Sequence, residues 1–242
     1  MLSVYQNRRY DSDFLTLQHV LAEGYLGRVV DFETRFDRHR PDMPVAGASW
    51  KTDPAEYSAI FDLGTHLIDQ AVALYGLPQR VTGFVGTQRE TNTLGLEDSF
   101  TAILRWSSTG LVVTAKAGVV SAETEQLRFW VKGTKGSFKK FHLDPQEDQL
   151  RAGLRPEDEW YGLESSDRYA TLTSAEGSKI TGQRRMDTVK TNGYTAFYDR
   201  LSEALLMNDP DRLPVDGTQA ADVIKLIELL RQSSQEERTL TV

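Results

Sequence analysis

Five short segments rich in apolar and β-branched residues follow one another at 81–88, 99–106, 111–120, 126–131 and 137–142. Ser107-Ser108-Thr109-Gly110 and Gly133-Thr134-Lys135-Gly136 stand between consecutive members and have the composition of hairpin turns. Strands joined by turns this tight pair antiparallel, because a parallel pair needs a crossover of a dozen residues or more. An earlier segment, 29–37, alternates Val30, Phe32, Thr34 and Phe36 with Asp31, Glu33 and Arg35, the period of a half-buried strand. The expected fold class is therefore α+β, an open and mainly antiparallel sheet with helices packed on one face.

The helices are legible from their caps and stripes. Asp11 or Ser12 starts one that carries Phe14, Leu15, Leu17, Val20 and Leu21 and is closed by Gly24 and Gly27. Two more close the sequence: 191–207 with Tyr194, Phe197, Leu201 and Leu205 in register, and 218–232 with Ala221, Ile224, Ile227 and Leu230. The stretch 144–187 is polar and rich in Pro, Gly, Ser and Asp, and reads as a long irregular loop. Leu2 to Tyr5 reads as a short strand with no element to pair with.

Composition narrows the function. With 28 Lys and Arg against 35 Asp and Glu, the formal charge of -7 argues against nucleic-acid binding through bulk electrostatics. Cysteine is absent, so disulfides and thiolate chemistry are excluded, in keeping with a reducing compartment. No apolar run nears the ~18 residues that span a bilayer, and the N-terminus lacks a signal-peptide layout. A cytoplasmic protein is expected, without membrane partners.

The run Ile60-Phe61-Asp62-Leu63-Gly64-Thr65-His66-Leu67-Ile68-Asp69-Gln70 holds the chemistry. On a helix extending to about Tyr75, Asp62, His66 and Asp69 share one face, with Cβ atoms roughly 5–6 Å apart. Three readings stand. The imidazole is a satisfied structural group, or a metal ligand, for which no second His or Cys cluster is at hand, or half of a proton-handling pair. Imidazole titrates near neutrality, an ionised carboxylate beside it favours its protonated form, and Asp62 in a first helical turn suits the macrodipole. His19, His39 and His142 read as structural or exposed, and Arg184-Arg185 as a solvated turn. No Gly-x-Gly-x-x-Gly follows a strand, so any dinucleotide must rest largely on other polypeptide.

The residues Val4-Tyr5-Gln6-Asn7-Arg8-Arg9, Asp13-Phe14-Leu15, Leu26-Gly27, Trp50-Lys51, Asp62-Leu63-Gly64-Thr65-His66-Leu67-Ile68-Asp69, Gly133-Thr134-Lys135-Gly136-Ser137 and Pro214-Val215 resemble the Gfo/Idh/MocA oxidoreductases, with the flavour of NADP-linked scyllo-inositol dehydrogenase-like members. The resemblance implies an N-terminal Rossmann domain, here missing, and a C-terminal α+β domain. On it, 1–9 corresponds to the last strand and hinge of the nucleotide-binding domain, and 10–242 to the substrate-binding and oligomerisation domain. A fragment is favoured, because the strand at Leu2 to Tyr5 is otherwise an orphan.

The resemblance implies an NAD(P)-dependent dehydrogenase of sugars or polyols, with His66 as general acid/base and Asp62 as its neighbouring carboxylate. NADP or NAD would be bound mainly by the missing domain, with Asn7, Arg8, Trp50 and Lys51 at its edge. Lys51 stands where related reductases carry Arg, keeping the charge without the bidentate fork. Tyr57, in a stretch where family members commonly carry glycine, is expected to fill part of the substrate site, with Asp69 and with Tyr161 from the Trp160-Tyr161-Gly162 loop. No metal is expected. A homo-oligomer through the sheet face is. The rival readings are a nucleotide-sensing regulator on the same fold and a dimerisation module. The presence of both Asp62 and His66 favours the enzyme.

Overall fold

The computed structural model describes residues 1–190 and 193–242. In chain order they form α1 (Ser12–Ala22), β1 (Val29–Arg35), α2 (Thr65–Tyr75), β2 (Arg80–Gly86), β3 (Ser99–Trp106), β4 (Leu111–Ala117), β5 (Leu127–Gly133), β6 (Gly136–Phe141), α3 (Gln146–Arg151), β7 (Ala170–Glu176), β8 (Lys179–Met186), α4 (Thr195–Met207), α5 (Gly217–Gln235) and β9 (Leu240–Thr241). Two compact units result: Met1–Arg28 with Gly133–Ala221, and Val29–Lys132 with Asp222–Val242. The α+β class and the mainly antiparallel pairing hold.

In the second unit the strands run in the order β5-β1-β4-β3-β2-β9. β3 and β4 form the expected hairpin, pairing Ile103 with Thr114, and β2 pairs antiparallel with β3. β1 instead runs parallel to β4, Phe32 beside Val113, which is possible because α2, β2 and β3 intervene in sequence. Along β3 and β4 alternate residues are buried, so one face is covered and the other open. α2 lies against β4 on the covered face. It buries Leu67, Ile68 and Ala71 completely. Arg128 from β5 is 1% exposed yet satisfied, donating to Thr34 Oγ1 and to Gln70 Oε1 of α2, both at 2.9 Å. Gly83 is required on β2, since a Cβ there would stand 2.1 Å from the backbone carbonyl oxygen of Leu230 in α5.

The first unit is organised about buried polar groups. Asp11 precedes α1 but does not cap it; the cap comes from Asp144, 132 residues away, whose Oδ2 accepts the Ser12 N–H and the Ser12 hydroxyl at 2.6 Å each. The Asp11 carboxylate accepts instead from Arg8 at 3.2 Å and from the Tyr194 hydroxyl at 3.0 Å. Gln146 donates to the Tyr10 carbonyl and accepts the Tyr194 N–H, both at 3.0 Å. Tyr10, Tyr194, Phe197 and Val215 pack together beside these bonds. Leu2 to Tyr5 is no orphan strand: Ser3 bridges to Asp216, and Val4 N–H donates to the Val215 carbonyl at 3.1 Å.

The expected loop at 144–187 is largely ordered into α3 and the β7–β8 hairpin, with β7 also pairing β6. The sequence hides β8 because Lys179 to Arg185 is exposed on both faces, so no apolar alternation betrays it. On β6 the enclosed Lys140 ammonium donates to Glu164 and to the carbonyls of Phe141 and Arg168, at 2.8–2.9 Å. Of the helix expected over 191–207, its first two residues lie outside the described residues; α4 begins at Thr195.

Asp144→Ala leaves the Ser12 and Gln146 donors without their buried acceptor, and each such loss costs about 1–3 kcal/mol. Urea unfolding should show a destabilisation of that order or greater, with the denaturant slope unchanged.

Candidate active site

The candidate site lies in the second unit, where the chain enters α2. The segment Ile60–Gly64 is a π turn that runs directly into the α-helix at Thr65, in place of the regular helix expected from Asp62 onward. Such single π turns are frequent at functional sites. The Phe61 and Asp62 N–H groups both donate to the Ser58 carbonyl at 3.0 Å. Gly64 sits where a Cβ would be 3.0 Å from Ile60 Cγ1 and 3.3 Å from Phe100 Cζ, which seats the turn closely on β3.

Asp62 points its Oδ2 at Lys51 Nζ, 2.6 Å away. The Lys51 ammonium also stands 5.0 Å from the Trp50 ring centroid, and Trp50 meets Tyr57 at 6.0 Å. Trp50, Lys51, Tyr57 and Asp62, all singled out in the sequence, are thus brought together by the Pro- and Gly-bearing loop that precedes the π turn. Its short helical turn, Trp50–Thr52, is fixed by the Thr52 hydroxyl, which donates to the Ser49 carbonyl. Trp50 is half exposed and Tyr57 almost wholly buried, so one ring meets solvent and the other lines the interior.

Burial pushes the Tyr57 phenol above its ordinary value. The Asp62 charge adds to that rise, and Arg38 and Arg89 oppose it. Sequence reasoning missed both arginines. Arg89 is committed elsewhere, donating to the Arg40 and Asp42 carbonyls and, at 3.1 Å, to the buried Asp98. Arg38 lies with its guanidinium carbon 4.7 Å from the Phe36 ring centroid. No local pattern marks their influence on Tyr57, from which Arg38 and Arg89 stand well apart in the chain.

His66 is the second residue of α2, part-exposed, with its Nδ1 atom buried. Asp69 corrects an expectation. It is fully buried inside α2 and offers no surface to a substrate. Burial thus grades from the part-exposed Asp62 and His66 to the enclosed Asp69 along this segment. Among the described residues, no group of three or more His, Cys, Asp and Glu is placed to hold a metal.

The remaining expected site residues fall in the first unit. Asn7 is part-exposed, in the short turn Asn7–Tyr10. Arg8 is 6% exposed, its charge spent on Asp11 at 3.2 Å and Glu147 at 2.6 Å, so it is an internal tether rather than a ligand for nucleotide. Tyr161 is also corrected. Its ring is buried, its hydroxyl has no hydrogen-bond partner among the described residues, and burial, with Asp144 and Asp11, pushes it up to about 12. The exposed aromatic of that loop is Trp160.

Residues 19–242 match the model of the oxidoreductase family's C-terminal alpha/beta domain, GFO_IDH_MocA_C. The chain belongs to this family. Among relatives, Uncharacterized oxidoreductase C115.03 of Schizosaccharomyces pombe is 36% identical, over 99% of this chain and 67% of its own length. The scyllo-inositol 2-dehydrogenase (NADP(+)) IolW of Bacillus subtilis is 33% identical over 99% of this chain and 64% of its own. The solved Bacillus subtilis structure of yvaA superposes with a TM-score of 0.90 at 32% identity, covering 100% of this chain and 66% of that one. The chain thus spans about two thirds of the length of these relatives.

Tyr57 tests the local electrostatics. Asp62→Asn should lower its titration midpoint, while burial keeps it above the ordinary phenol value. Carbon NMR of the ring during a pH titration reads this directly. An unchanged midpoint would show that the Asp62 charge does not reach the phenol.

Proposed function

We propose that this chain is the substrate-binding and catalytic domain of an NAD(P)-dependent oxidoreductase acting on a sugar, polyol or related carbonyl compound. One observation carries the reading: a carboxylate held against a cation at 2.6 Å on a π turn, with His66 on the turn that follows. An exposed pair of this kind contributes at most about 1 kcal/mol to stability, so its placement is better explained by chemistry than by folding.

NADP or NAD, when bound, supplies the hydride acceptor or donor. This chain has no glycine-rich phosphate cradle, so the nucleotide would rest mainly on further polypeptide, with the Trp50 indole and the Lys51 ammonium at its margin. Both are accessible and of suitable chemistry, an aromatic face and a cation. The polyol class is supported by the relative whose name specifies scyllo-inositol.

His66 takes the hydroxyl proton of the carbinol as hydride leaves its carbon, and returns that proton in the reverse direction. With Nδ1 buried, Nε2 is the atom that exchanges it. Asp62 and Lys51 hydrogen-bond the substrate hydroxyls and hold the reacting carbon in place, and Tyr57 with Trp50 walls the site. Positioned proton transfer contributes about 10²–10⁴-fold.

His66→Ala in the complete polypeptide should fold normally and lose at least about a hundredfold in turnover, measured by NAD(P)H absorbance. The 242-residue chain alone should show none. Near-normal turnover in the mutant removes His66 from the mechanism.

The open sheet face of the second unit, which exposes Phe84 beside Thr82 and Thr101, is proposed as the self-association surface. Among the described residues no helix is long and apolar enough to cross a membrane, and a cytoplasmic location is proposed. Light scattering at micromolar concentration should report at least twice the 27.3 kDa chain mass. A strict monomer refutes this assignment.

A further inference from the structure

Three buried side-chain atoms that lack a hydrogen-bond partner among the described residues flank the π turn: Ser58 Oγ, Glu97 Oε2 and Arg231 Nε. Buried polar atoms are nearly always paired, so three in one neighbourhood call for an explanation. All three belong to residues that hold the turn. The Glu97 carbonyl accepts the Ala59 N–H at 2.8 Å, and Ser58 and Glu97 form a parallel bridge. The Glu97 carboxylate accepts one hydrogen bond from Arg231 of α5 at 3.2 Å. The Arg231 guanidinium carbon in turn lies 5.5 Å from the centroid of the Phe61 ring, next to Asp62 in sequence.

The ion pair is poorly arranged for stability. It is single rather than bidentate, about a third of each side chain is exposed, and it leaves an oxygen and a nitrogen buried and unpaired. Its geometric effect is plain. Ser58 receives both N–H groups of the turn, so fixing Ser58 through Glu97 and Phe61 through Arg231 fixes the start of the π turn from two sides. Unsatisfied groups and irregular backbone persist where the surroundings hold them for function.

We propose that Glu97 and Arg231 are positioning residues that set the π turn carrying Asp62, and so align Asp62 and His66 for proton transfer. The proposal rests on the acid–base reading above and extends it to two residues that touch neither substrate nor cofactor. Arg231 acts from the last helix, more than 160 positions away in the chain from the turn it holds.

Arg231→Met keeps the bulk over Phe61 and removes the charge. Amide hydrogen exchange at Phe61 and Asp62 should accelerate at least tenfold, with Leu104 and Val113 in β3 and β4 unchanged, whereas general destabilisation would speed all four. In the complete polypeptide the same variant should lower kcat about tenfold with substrate KM within twofold, and Arg231→Lys, which preserves the pair with Glu97, should restore kcat. If Arg231→Met does not fold, Glu97→Gln carries the same measurements. Unchanged exchange at Phe61 and Asp62 refutes the proposal, as does faster exchange with unaltered kcat. Normal turnover in His66→Ala refutes the acid–base reading whatever the exchange shows; an inactive His66→Ala with no exchange response refutes the positioning role alone.

Discussion

One irregular turn of backbone, Ile60–Gly64, presents the Asp62 carboxylate to Lys51 and seats Gly64 against Phe100. At its start the Ser58 carbonyl accepts both the Phe61 and the Asp62 N–H groups, before the backbone widens into the π winding. Everything proposed for the second unit depends on this accommodation. The Lys51–Asp62 pair, the Trp50–Tyr57 wall and the entry of His66 into α2 all follow from where the turn stops and the helix starts.

The energetics separate support from chemistry. Apolar burial is concentrated where α2 and α5 cover one face of the sheet, with Leu67, Ile68, Ile227 and Leu230 fully enclosed. The large polar side chain buried there, Arg128, is satisfied by Thr34 and Gln70. Around the π turn the opposite holds, with unpaired buried atoms and part-exposed charges gathered within a few residues. Stability is supplied by the packed face and spent at the turn, the distribution expected where backbone irregularity serves a site.

In the first unit the burden falls on hydrogen bonds instead. Asp144 caps a helix from 132 residues away, Arg8 bridges two carboxylates, and Gln146 ties the Tyr10 carbonyl to the Tyr194 amide. These bonds account for a sequence dense in buried Asp, Gln and Tyr that a purely apolar core would not require. They also explain why Arg8 and Tyr161 serve the interior of this unit and not a ligand.

The sequence by itself determined the strand hairpin at Ser107 to Gly110, the limits of α1 and the C-terminal end of α2 at Tyr75. These are local quantities, set by period, turn chemistry and caps. Only tertiary structure decided the parallel pairing of β1 with β4, the ion pair of Lys51 with Asp62, the burial of Asp69, and the ordering of β8. Each depends on contacts between segments far apart in the chain, or on an edge strand whose two polar faces carry no alternation. Spacing fixes which face a side chain takes on its own element; what lies opposite that face is set by the packing of the others.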